Sequence, residues 1–125
     1  MSLVVKVFLV GANGKMRVLD VPDGCGDSAG FESWRTDVWG SDAVRSLGAA
    51  VLPLLSEGDL YVPPYGVDTF LSECLMLREN LERIVQGTQP VRTVEEHRSA
   101  IEQRLSNLTD AARRAREVGG GVLVW

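Results

Sequence analysis

Histidine, cysteine and lysine are scarce in this chain: one histidine, His97, two cysteines, Cys25 and Cys74, and two lysines, Lys6 and Lys15, in 125 residues. Aromatic residues make up only 6%. Each scarcity excludes something. A metal centre needs several His, Cys or carboxylate ligands converging at set spacing. The two cysteines form no such spacing, and Asp20, Asp23 and Asp27 do not follow the order of a calcium-binding loop. No metal and no cofactor is therefore expected. A phosphate-cradling Walker pattern is absent. Gly24-x-Gly26-x-x-x-Gly30 departs from dinucleotide-loop spacing, and its acids would repel a pyrophosphate.

Long apolar runs are missing too. Residues 3–10 are apolar but too short to span a bilayer. They lack the basic flank and small-residue cleavage site of a secretory signal. A cytoplasmic protein with reduced thiols and no membrane role is the expectation.

Basic charge is short where a nucleic-acid binder would need it. The net charge is -4, and it is unevenly spread. Residues 1–19 carry Lys6, Lys15 and Arg17 with no acid. Residues 20–42 carry Asp20, Asp23, Asp27, Glu32, Asp37 and Asp42 against Arg35 alone. Such a stretch repels phosphate and attracts a basic partner.

What is present suits a folded domain. The chain is 45% hydrophobic and 24% charged, which excludes disorder. Its length fits one domain, 1–125, able to bury a core without disulfides. Leu3–Val10 and Met16–Val21 are rich in β-branched residues and flank Asn13-Gly14, a strong hairpin signal. The first strand is apolar almost throughout, so it is expected to be central and covered on both faces. The second alternates and reads as an edge. Residues 22–41 carry loop chemistry, long enough that a short helix around Phe31–Val38 or a functional loop is implied.

Ser41 is placed to cap a helix carrying Val44, Leu47, Val51 and Leu54, with a break at Pro53. Leu60–Pro64 reads as an extended edge segment. Phe70, Cys74, Leu77, Leu81 and Ile84 form the seam of a helix over 69–86, ended by Gly87. Thr93 and Glu96 form a capping box for a helix running to Val118, roughly 37 Å long. The short link between these two helices makes them antiparallel. Val122–Trp125 then reads as a last strand beside Leu3–Val10. The fold class is α+β: an N-terminal hairpin plus a C-terminal strand in a small sheet, packed on a long antiparallel helix pair and one shorter helix.

Three functional readings compete. Gly26-Asp27-Ser28-Ala29-Gly30 matches the G-x-S-x-G elbow of hydrolases. It requires His97 near Ser28, or near Cys25 as the alternative nucleophile. Against it, the chain is far shorter than that hydrolase sheet, and the field around Cys25 is negative, opposing a thiolate. A second reading is a non-enzymatic binding protein. Trp34, Trp39, Tyr61 and Tyr65 lie in irregular segments, with Asp23, Asp27, Glu32 and Asp37 nearby, as in an aromatic-anchored patch. That patch would suit a basic protein partner, as for a cytoplasmic immunity-type inhibitor capping a basic bacterial toxin. Alternatively the tryptophans plug the loop onto the core. A self-associating protein, a homodimer through its long helices, is the remaining reading.

Overall fold

A computed structural model describes residues 2–125. The order is β1 (Ser2–Val10), β2 (Met16–Val18), β3 (Ser28–Phe31), α1 (Trp34–Asp37), α2 (Asp42–Ser46), a 3-10 turn (Leu52–Ser56), β4 (Leu60–Val62), α3 (Val67–Glu79), α4 (Leu81–Gly87), α5 (Val94–Val118) and β5 (Gly121–Val124). The class is α+β. The antiparallel sheet runs β2-β1-β5-β4, with β3 also on β1. The two chain ends meet at its centre: Val5 opposes Val124 and Phe8 opposes Gly121.

The hairpin forms as its Asn-Gly turn dictates, with Gly14 at φ 78°. β2 is shorter than the sequence suggests, and its three residues are all exposed. Leu3, Val5 and Val7 point inward from β1, and Val122 and Val124 inward from β5. α5 packs on β1, β3 and β5, and α3 and α4 pack on α5. Ile101, Leu105, Leu108, Ala112 and Ala115 supply its buried stripe. Full burial of each large apolar side chain stabilises by about 1.5–3 kcal/mol.

Several expectations change. In segment 22–41 the short helix expected around Phe31–Val38 does form, as α1, but it is preceded by β3, a strand not expected from the sequence. The helix after Ser41 stops at Ser46, although Ser41 does cap it, accepting from the Val44 amide at 3.2 Å. Gly48, at φ 97°, turns the chain, and Pro53 sits in the first turn of a separate 3-10 segment, where its missing N–H costs nothing. The helix over 69–86 is two helices, broken at Asn80, whose side-chain amide donates to the Met76 carbonyl at 2.9 Å. Local hydrogen bonding by asparagine competes with the helical ladder. Gly87 ends α4 without a left-handed turn; a Cβ there would lie 2.6 Å from that of Ala43, so the glycine lets α2 approach. Thr93 caps α5 through the Glu96 amide at 3.1 Å, while no return bond from the Glu96 side chain forms among the described residues.

The break after α2 has an anchor that periodicity does not reveal. Glu73 on α3 is buried, and its carboxylate accepts from the backbone amides of Ala50, Val51 and Leu52 at 2.6, 3.0 and 2.8 Å. One side chain thus satisfies three consecutive donors at the start of the 3-10 turn.

The remaining correction concerns β1. Helices cover only one face of the sheet; the other carries Val4, Lys6, Phe8 and Val10 and faces solvent with its neighbours.

Candidate functional site

The residues grouped by sequence do not form one patch. Trp34 and Trp39 are buried in the core, so they are not surface anchors; they plug the segment after β3 onto it. The Trp39 indole N–H donates to the Ala29 carbonyl at 2.8 Å. The Trp34 ring lies against Gly30, at φ 115°, where any Cβ would overlap it. The two indoles meet edge to face at 5.7 Å, an arrangement favoured by their quadrupoles. The Arg104 guanidinium lies over the Phe31 and Trp34 rings at 5.7 and 5.8 Å.

The carboxylates divide into two groups. Asp20, Asp23 and Asp27 flank the middle of β1: the Leu19 amide reaches the Val7 carbonyl, and the Asp27 carbonyl takes the Val5 amide. Asp27 is neutralised by Lys6 at 3.1 Å. Glu32 and Asp59 share Arg35 at the end of the sheet where β1 starts, with Asp37 exposed close by. Arg35 also donates to the Leu55 and Gly58 carbonyls, which makes it a strut between α1 and the turn before β4. Asp20, Asp23 and Asp37 carry no ion pair among the described residues. Tyr65, 92% exposed, follows Pro64, which borders the hairpin end with Val10 and Met16, away from the Arg35 group.

The hydrolase constellation does not assemble. Ser28 opens β3 rather than a strand-to-helix elbow, and its hydroxyl takes only the Gly30 amide at 3.4 Å. His97 is buried and its Nε2 lies 2.7 Å from the Thr88 hydroxyl. That hydroxyl donates to the Ile84 carbonyl at 2.7 Å, so Nε2 carries the proton and donates to Thr88. Burial lowers the imidazole's pKa, and no carboxylate orients it among the described bonds. Burial also pushes the Cys74 thiol far up, leaving it inert. Cys25 is exposed in the acidic loop. Among the described residues no group of three or more His, Cys, Asp and Glu side chains is placed to hold a metal ion. No helix there is long and apolar enough to cross a membrane.

The surface that stands out is the helix-free face of the sheet. Val10, Met16, Val18, Tyr61 and Trp125 lie on or beside it, each between 42% and 52% exposed. Register makes them neighbours: Phe8 opposes Val18, Val10 opposes Met16, and Tyr61 opposes Leu123. Phe8 is itself fully buried on this face. Its ring crosses Gly121, which has no Cβ to block it, and stacks on Tyr61 with centroids 5.3 Å apart. Tyr61 is therefore held rigid with half its surface in water. The alternation of Met16 and Val18 with Arg17 in β2 carried part of this signal; an almost wholly apolar β1 announced two apolar faces but not that one would stay open. No protein-family model, curated protein or solved structure matches the chain.

Proposed function

We propose that this chain is a non-enzymatic protein-binding module whose contact surface is the open face of its sheet. The observation that carries the reading is the run of half-exposed apolar side chains from Met16 and Val18 across to Tyr61, fixed on a rigid sheet. Contiguous apolar surface of this kind marks interaction sites. A tyrosine held by stacking loses little entropy on binding. Asp20 and Asp23 on the rim favour a partner with basic charge around an apolar centre. An immunity-type inhibitor of a basic bacterial toxin, acting in the cytoplasm, is the biological class that fits these features.

The test is affinity capture with the purified chain, identification of any basic protein retained, and titration of that purified pair. Val18→Asp and Tyr61→Asp are expected to weaken binding at least tenfold, and Asp23→Lys to slow association at low salt. Binding indifferent to both face substitutions overturns the reading. So does hydrolytic turnover lost in Ser28→Ala.

A further inference from the structure

The outer edge of β2 is unpaired, and we propose that it takes an added strand from a protein partner: an extended segment in which acidic and apolar residues alternate. This edge adjoins the open face and shares Met16 and Val18 with it. The inference rests instead on backbone groups and on cations of the opposite face, so it stands apart from the reading above.

The hydrogen-bond pattern decides which groups are free. The Gly11 amide donates to the Lys15 carbonyl at 2.9 Å, and the Leu19 amide to the Val7 carbonyl at 2.8 Å. Bonded and non-bonded pairs alternate along an antiparallel ladder, so Leu9 and Arg17, midway between, are a bonded pair. Met16, Val18 and Asp20 therefore turn their N–H and C=O groups away from β1. Among the described residues β2 pairs only with β1, and those outward groups have no other backbone partner. The residues of β2 and Asp20 are exposed, so water reaches this edge. Outward amides and carbonyls on every second residue match the spacing at which an incoming strand presents its own.

Side chains select the sequence of that strand. Opposed residues of a ladder share a face. Arg17 opposes Leu9 and Lys15 opposes Gly11, which places both cations on the face that α5 covers at β1. Neither has an ion pair among the described residues. Met16 and Val18 oppose Val10 and Phe8 on the open face. A strand beside β2 thus meets Lys15 and Arg17 on one face and Met16 and Val18 on the other. Period two turns this into acid, apolar, acid, apolar. The β2 of a second copy brings no acid to the cationic face, where it carries Lys15, Arg17 and Leu19. Short length and cations keep an edge from pairing indiscriminately; here they also dictate the charge of what pairs.

Nuclear magnetic resonance titration of the whole chain with a short capped peptide alternating valine and glutamate tests this. So short a ladder holds weakly, and dissociation in the millimolar range is expected. The amides of Met16, Val18 and Asp20 should shift, and their exchange with solvent should slow. The same peptide with lysine for glutamate should bind at least tenfold more weakly, and Lys15→Glu/Arg17→Glu should reverse that preference. Val18→Pro removes an outward donor without touching a bond to β1, and should weaken the glutamate peptide at least tenfold. Circular dichroism shows whether each variant keeps its fold; if Val18→Pro does not, the charge reversal decides alone. No perturbation at several millimolar peptide overturns the proposal. So do equal affinities for the two peptides, a preference that survives the charge reversal, or a folded Val18→Pro that binds as wild type does. Shifts confined to Phe8, Tyr61 and Leu123 overturn it as well, since they report adsorption on the open face.

Discussion

Replacing Glu73 by alanine leaves three backbone amides, those of Ala50, Val51 and Leu52, without their shared acceptor. Hydrogen bonds to a charged group contribute about 1.5–3 kcal/mol each, and an orphaned buried donor costs about 1–3 kcal/mol. The three losses are not equal. Ala50 is exposed, so water replaces its acceptor, whereas Leu52 is fully buried. Val51 lies between. The total for Glu73→Ala comes to about 4 kcal/mol, most of it from Val51 and Leu52. Domains of this size have only about 5–15 kcal/mol in all. Glu73→Gln is the sharper probe. Its remaining oxygen still serves Ala50 and Val51, both bound by Oε1, while its NH2 group faces the Leu52 amide, donor against donor. It should cost about 2 kcal/mol, intermediate between alanine and wild type. Urea denaturation followed by tryptophan fluorescence measures both, since Trp34 and Trp39 are buried. Glu79→Ala, at an exposed position on the same helix, is the control and should stay within ~0.5 kcal/mol. Amide exchange at Leu52 should accelerate in Glu73→Ala beyond the global change. A loss under 1 kcal/mol in Glu73→Ala, or a Gln variant as stable as wild type, would refute the anchoring role.

Other consequences are equally direct. His97 is buried with a lowered pKa; below about pH 6.5 the unfolded chain takes up a proton that the folded chain resists, so stability falls from that pH down to the folded pKa. His97→Gln should remove this component of the pH slope, and unchanged urea midpoints between wild type and variant across pH 7 to 5 would contradict it. Gly30→Ala should cost about 3 kcal/mol, combining left-handed strain with overlap of the Trp34 ring, and should shift tryptophan emission. Exposed Cys25 should react with a thiol reagent at once, and buried Cys74 at least ~10³-fold more slowly, at the rate set by unfolding. Equal rates would show that α3 opens readily.

The elements legible in the sequence are those whose cause is local. Asn13-Gly14 sets the hairpin, Thr93 and Gly119 bound α5, and the apolar end strand returns to β1 because it has no polar residue to face water. The misread elements are those decided by distant groups. Residues 42–54 keep helical spacing, yet Glu73, more than twenty positions away, takes the amides of residues 50–52 and ends the helix. Residues 28–31 follow Gly24 and Gly26 and look like loop, yet β1 offers its free edge and Trp34 needs Gly30 for its ring. The candidate site follows the same division. Acids and aromatics could be named from the sequence, but whether each meets water depends on packing.

The sequence by itself determined the α+β class, the hairpin, the long terminal helix and the joining of the chain ends, because hydrophobic period, caps and turn residues act over a few positions. Only the tertiary structure decided that Trp34 and Trp39 are core, that His97 serves Thr88, and that one face of the sheet stays open. Burial is a property of what packs on a residue, and one long helix covers one side of a sheet whose central strand is apolar on both.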